Sequence, residues 1–125
     1  MENNPVKKIL VADDDVNIVQ LIASRLKREK YNVIAAYDGM QAVNIAHEQR
    51  PDLIILDIKM PAGGGMSVYD DLKMSSHTAL IPVVFITAYS SSEIKEKVLN
   101  MGARDFIAKP FNSEDLLLKV ERALK

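Results

Sequence analysis

Five short apolar runs alternate with five segments of helical periodicity. The alternation predicts an α/β domain, a parallel sheet with helices on both faces and right-handed crossovers. The central run, Leu53-Ile54-Ile55-Leu56, is apolar at every position, as a strand buried on both faces requires, and it leads straight into Asp57. Holding that carboxylate ionised at the end of a buried strand is costly unless a cation or a hydrogen-bond donor meets it. Other strand-like runs also end in polar residues, so chemistry gathers at one rim of the expected sheet.

In chain order, the first strand is Ile9-Leu10-Val11-Ala12, ending at Asp13-Asp14-Asp15. Val19, Ile22, Ala23 and Leu26 then recur at the spacing of one buried helical face, opposite Arg25, Lys27, Arg28 and Lys30. Val33-Ile34-Ala35-Ala36 is a weaker strand. Asp38-Gly39 opens a helix on which Met40, Val43 and Ala46 share a face, with Pro51 beyond its end. After Asp57, Pro61 forces a turn, Ala62-Gly63-Gly64-Gly65 reads as a flexible loop, and Val68, Tyr69 and Leu72 mark the next helix. The fourth strand, Val83-Val84-Phe85-Ile86, ends at Thr87. Ser90 with Glu93 reads as a capping box, starting a helix that buries Ile94, Val98 and Met101 and stops at Gly102. Phe106-Ile107-Ala108 ends at Lys109-Pro110. Asn112 or Ser113 caps the last helix, which turns Leu117, Val120 and Leu124 inward.

A chain of 125 residues suits one domain, 1–125, with a core of about 6–124. Its formal net charge of −1 gives no electrostatic reason to expect nucleic acid or an anionic membrane as partner. The absence of cysteine excludes disulfides and thiolate chemistry. No apolar run approaches membrane-spanning length, and Met1-Glu2-Asn3-Asn4-Pro5 lacks the character of a signal peptide, so a cytoplasmic location is expected. His47 and His77 read as surface residues, and Tyr31, Tyr37 and Tyr69 as packing residues.

In an open parallel sheet, ligands bind beyond the carboxyl ends of the strands. There the first strand delivers Asp13 and Asp14, the third Asp57, the fourth Thr87 and the fifth Lys109. Singly, each has a plain explanation. An aspartate can cap the first helix, Asp57 can serve the turn before Pro61, Thr87 can end its strand, and Lys109 can be solvated. Complementary residue types at four strand ends are better explained by a site. Packed carboxylates repel until a proton or a cation relieves them. An all-oxygen set suits a hard divalent ion such as Mg²⁺. Metal and lysine together can neutralise a phosphoryl group while a threonine hydroxyl donates to it, and an aspartate can be the nucleophile. The residues alone thus point to Mg²⁺-dependent phosphoryl transfer with Asp57 as candidate acceptor.

The motifs Ile9-Leu10-Val11-Ala12-Asp13-Asp14, Leu56-Asp57 with Met60-Pro61 and Gly65, Phe85-Ile86-Thr87-Ala88, Gly102-Ala103 and Lys109-Pro110-Phe111 together resemble the receiver domain of bacterial two-component response regulators. The resemblance implies a flavodoxin-like (βα)5 three-layer sandwich with strand order 2-1-3-4-5. It implies that Asp57 accepts a phosphoryl group from a phosphohistidine on a sensor histidine kinase or phosphotransfer protein. Asp14 would bind Mg²⁺ directly, with Asp13 beside it, Asp57 as a further ligand and the backbone carbonyl of Lys59 completing the set. Thr87 would be the switch hydroxyl, Phe106 the switch aromatic, and Lys109 the partner of Asp57 or its phosphate, with a cis bond to Pro110. Asp15 has no family role and reads as extra charge or a cap.

The implied mechanism is a two-state switch whose readout is the face formed by the fourth helix, fifth strand and fifth helix. Lys95, Glu96, Arg104, Glu121 and Arg122 are candidate exposed residues there. The output would be a downstream protein or a domain outside this sequence. Phe106 replaces the often-seen tyrosine and so forfeits a hydroxyl hydrogen bond. Arg104 stands where many DNA-binding relatives carry an acidic residue, which argues against their usual dimer. Lys59 and Tyr89 fall where the family varies and tunes phosphoryl lifetime. Two other classes compete with this reading. A Mg²⁺-dependent phosphatase would need a separate acid/base and a cap, for which the sequence has no segment. A receiver-like module that is never phosphorylated usually lacks an acidic residue or the lysine, and all are present here. The domain is therefore expected to be a phosphoacceptor, not a turnover enzyme.

Overall fold

Alternating strand and helix patterns become alternating elements: β1 (Lys8–Ala12), α1 (Val16–Arg28), β2 (Asn32–Ala36), α2 (Gly39–Gln49), β3 (Leu53–Asp57), α3 (Gly65–Lys73), β4 (Val83–Thr87), α4 (Ser92–Met101), β5 (Asp105–Ala108) and α5 (Ser113–Ala123). This computed structural model describes residues 5–125; the first four residues of the N-terminal stretch read above as lacking signal-peptide character lie outside them. Every strand pair is parallel, and the order is β2-β1-β3-β4-β5. That order follows burial. β3 and β4 are buried at every residue and sit inside the sheet, whereas β2, only partly buried, takes an edge.

Each central strand sends alternate side chains to opposite faces, and this divides the core in two. Leu10, Ala12, Ile54, Leu56 and Phe85 pack with Ala42 and Ala46 of α2, Leu72 of α3 and Val98 of α4. Ile9, Val11, Leu53, Ile55 and Ile86 pack with Ile22 and Leu26 of α1 and Leu116 and Val120 of α5. Among the described residues no helix is long and apolar enough to cross a membrane.

Four local expectations shift. Met40 is exposed, and α2 instead buries Gly39, Ala42 and Ala46; the alanines pack against the sheet, and Gly39 is crossed closely by the backbone of Ala62 and Gly63. The cap of α4 is Ser91, which accepts from the Ile94 amide at 3.1 Å, so the helix starts one residue later than a Ser90–Glu93 box would place it. On α5 the fully buried residues are Leu116, Val120 and Ala123, with Leu117 and Leu124 at the margin of that face. The glycine run is loop only as far as Gly64. Gly65 is buried as the first residue of α3, and its amide donates to Ile58 O at 2.7 Å.

A side chain at position 65 has nowhere to go. A Cβ there would lie 2.2 Å from the Asp57 carbonyl oxygen and 2.9 Å from Ile58 Cα, both backbone atoms. Gly65→Ala therefore has to push α3 away from the end of β3, and it is expected to cost about 1–3 kcal/mol, the range of overpacked sites. A urea unfolding curve checks this; a midpoint equal to wild type would refute it.

Candidate functional site

The parallel register decides which side chains meet. Ala12 pairs with Leu56, so Asp13 and Asp57, one step further on, emerge side by side at the carboxyl rim. Thr87 pairs with Ala108, and the Lys109 amide donates to Thr87 O at 2.9 Å, which seats Lys109 on the same rim. The chain turns sharply after β1. Asp13 accepts from the Asp15 amide at 2.9 Å, and Asp15 caps α1 by accepting from Asn17 at 2.9 Å and Ile18 at 3.4 Å. Asp15 is thus the cap, while Asp13 and Asp14 are left for the site.

A cavity of about 720 Å³ opens here, lined among others by Asp13, Asp14, Asp57, Lys59, Tyr89 and Lys109. Asp13, Asp14 and Asp57 each offer a carboxylate oxygen within 4.8 Å of the others. Asp13 is fully buried, Asp57 is 5% exposed, and Asp14 faces solvent. Lys109 Nζ lies 2.7 Å from Asp13 Oδ2 and 3.7 Å from Asp57 Oδ2, so its close partner is Asp13, with Asp57 second. Asp13 Oδ2 has no well-aligned hydrogen bond, and the nearby ammonium charge is what offsets its burial. A clustered, all-oxygen, under-coordinated donor set of this kind fits a hard divalent cation.

Burial, reinforced by the neighbouring Asp13 carboxylate, pushes the Asp57 pKa up from 3.8 to about 7; Lys109 and the Lys59 amide pull the other way. Burial also opposes the charge of Lys109. Its hydrogen bond to Asp13 and the charges of Asp57, Asp13 and Asp15 outweigh that, and it holds its proton above the ordinary lysine range.

Not every residue read from the sequence lines the cavity. Thr87 ends β4 on the rim but is fully buried, and its hydroxyl accepts from the Tyr89 amide at 3.0 Å. Phe106 is buried, and the carbonyl beside it accepts from Lys119 Nζ at 2.8 Å. The Lys109–Pro110 peptide is cis. Lys95, Glu96, Arg104, Glu121 and Arg122 are all exposed, although the Arg104 guanidinium also donates to Ala123 O, at 3.1 Å, at the end of α5. His47 and His77 are exposed, and His77 Nδ1 meets Arg50 at 2.7 Å. Tyr69 is buried, as a packing residue should be, whereas Tyr37 is exposed.

The sequence did not disclose that Lys59 and Tyr89 touch. Lys59 Nζ sits 4.1 Å from the centroid of the Tyr89 ring. A signal was present in principle. Each residue lies two positions past the functional end of its strand, and β3 and β4 are parallel neighbours.

Unfolded, Asp57 gives up its proton near 3.8, whereas folded and metal-free it keeps it to about 7. Between those values the folded state binds more protons, so stability is lost as pH rises through that window. Asp57→Asn removes the loss. Without metal at pH 7.5 it is expected to be about 1–2 kcal/mol more stable than wild type, less than the full shift implies because the open cavity lets water screen the charge. At pH 4 the two should unfold alike. Urea titrations in chelator at both pH values check this, and an equal gain at both would refute it.

Residues 9–121 match the family model of the response regulator receiver domain. The chain is similar to the chemotaxis response regulator CheY4 of Vibrio cholerae, with 33% identity, a TM-score of 0.89, and coverage of 95% of this chain and 99% of that one. A response regulator from Desulfuromonas acetoxidans is 31% identical with a TM-score of 0.87, covering 94% of this chain and 96% of that one. NtrX from Brucella abortus is 34% identical with a TM-score of 0.87; there 96% of this chain matches 27% of a longer one. The motif order, the strand order and the family match agree, and the chain belongs to the response regulator receiver domain family.

Proposed function

We propose that residues 1–125 form one receiver domain acting as the phosphoacceptor switch of a two-component system, with Asp57 as the acceptor. The observation that carries this reading is the convergence of Asp57, Asp13, Asp14 and Lys109 in one cavity at the carboxyl rim. The donor is a phosphohistidine on a sensor histidine kinase or phosphotransfer protein. An Asp57 carboxylate oxygen forms the new P–O bond as the P–N bond to the donor imidazole breaks, the imidazole nitrogen keeping the electron pair. Asp13, Asp14, Asp57 and the Lys59 carbonyl would hold Mg²⁺, which supplies positive charge against the phosphoryl oxygens.

Lys109 is near enough to Asp57 to follow its charge onto a phosphoryl group. Thr87 supplies a hydroxyl to a phosphoryl oxygen once it leaves its buried position, and Phe106 responds beside it. The changed face of α4, β5 and α5 then alters binding to a downstream protein or output domain. The domain assists its own phosphorylation and dephosphorylation and turns over no external substrate. We place the exchange in the cytoplasm, where a kinase's phosphohistidine is charged from ATP.

Acetyl phosphate with Mg²⁺ is expected to add one phosphoryl mass to the wild-type chain. Asp57→Asn should gain none, and chelation should abolish the wild-type adduct. Intact mass spectrometry checks all three. If no adduct forms on wild type, and beryllofluoride with Mg²⁺ also fails to bind, the domain is a phosphorylation-independent binding module.

A further inference from the structure

Lys59 lies on the β3–α3 connection and Tyr89 on the β4–α4 connection, and they meet at the cavity they both line. An ammonium 4.1 Å from a ring centroid makes a cation–π contact. Lys59 is exposed and Tyr89 is 61% exposed, so neither needs the other to be buried or solvated.

Each residue is also tied to a functional side chain two positions earlier. Lys59, two positions past Asp57, lines the same cavity as that carboxylate. The Tyr89 amide donates to Thr87 Oγ1 at 3.0 Å. Asp57, Lys59, Tyr89 and Thr87 therefore form one connected path between the acceptor and the buried hydroxyl.

We propose that the Lys59–Tyr89 contact is a clasp that holds the Thr87 hydroxyl out of the cavity while Asp57 is unphosphorylated, the two residues acting as a single brake on the switch. The inference rests on the phosphoacceptor reading. Thr87 is fully buried and reaches a phosphoryl oxygen only by entering the cavity. Either it carries the Tyr89 backbone with it, which shifts the ring under Lys59, or it breaks from the Tyr89 amide and leaves that backbone free to move. Phosphorylation also acts on the other half of the clasp. It brings up to about two negative charges beside Lys59. Ion–ion attraction in a partly enclosed site exceeds the hold of a ring face on an exposed ammonium. The clasp is thus released from both sides by the event it restrains. Lys59 and Tyr89 are positioning residues in this scheme, acting through Asp57 and Thr87.

The experiment is a double-mutant cycle on the affinity for beryllofluoride in saturating Mg²⁺, read by calorimetry on the whole chain. Tyr89→Leu is expected to tighten binding about two- to fivefold when Lys59 is present, the size of an exposed cation–π contact. In a Lys59→Met background the same change should have no effect; this comparison cancels any direct pull of Lys59 on the anion. Tyr89→Phe keeps the ring and should bind like wild type. In the free wild-type protein the Lys59 ε-methylene protons should show a ring-current shift that is absent in Tyr89→Leu and collapses when beryllofluoride binds. The clasp is overturned if Tyr89→Leu changes affinity equally in both backgrounds or not at all, or if the shift survives binding. Failure of wild type to bind beryllofluoride at all would instead remove the phosphoacceptor reading, and the clasp with it.

Discussion

One lysine ammonium faces three carboxylates at the end of a parallel sheet, and much of the site follows from that imbalance. Asp14 can be solvated, so the conflict lies between Asp13 and Asp57, both buried, and Lys109. Lys109 takes the closer position on Asp13. Asp57 is left under-compensated, and it responds by holding its proton to near neutrality. A protonated carboxyl is a poor nucleophile. Under the proposed acceptor role, the arrangement that makes the metal-free site tolerable would therefore restrain its reactivity, and added positive charge would both relieve the repulsion and restore the anion. If Asp57 is the acceptor, as proposed, stability and function are opposed at this one side chain.

The fold was legible in the sequence because its signals were redundant. A strand such as Leu53–Leu56, apolar at every residue, can only sit inside a sheet covered on both faces, and five strand–helix repeats leave little choice of architecture. The details that slipped had competing answers of equal chemical merit. Ser90, Ser91 and Ser92 all qualify as caps, and only the backbone path out of β4 selects Ser91. On α2, Met40 is the larger apolar residue, but the buried positions go to Ala42 and Ala46 against the sheet and to Gly39, where the Ala62–Gly63 backbone leaves no room for a Cβ. Gly63-Gly64-Gly65 looks like slack, whereas Gly65 is demanded by a backbone carbonyl that would lie 2.2 Å from any Cβ. Composition reveals glycine; it does not reveal which of several reasons put it there.

At the site, residue type and place on a strand were enough to nominate Asp13, Asp14, Asp57, Thr87 and Lys109, whereas Lys59 came only from the family resemblance. What the sequence could not carry was pairwise geometry. That Lys109 prefers Asp13 depends on a difference between 2.7 Å and 3.7 Å. Thr87 is buried off the cavity, its hydroxyl accepting from the Tyr89 amide, which place on the strand does not reveal. The contact between Lys59 and Tyr89 needs the β3–β4 register, in which Asp57 pairs with Ile86. Nothing local to either strand contains that register.

The path from cavity to surface is set by how unequally α4 is held. Its C-terminal end is pinned. The Tyr69 hydroxyl donates to Met101 O at 3.2 Å, and a Cβ at Gly102 would come within 2.7 Å of that hydroxyl oxygen. Tyr69 is in turn buried against Phe85 in the core, with ring centroids 5.5 Å apart. The N-terminal end carries the Ser91 cap and the partly buried Ile94, among otherwise exposed neighbours, and is joined directly to the segment that carries Tyr89. In the proposed switch, a displacement entering through Thr87 and Tyr89 would reach the first turn of α4 first, while the last turn stays tied to Tyr69. That first turn adjoins the groove lined by Ser91, Lys95, Phe106 and Lys119. The groove spans α4, β5 and α5, so under the proposed switch a small movement at the hydroxyl would change the shape of the face proposed to be read by a partner.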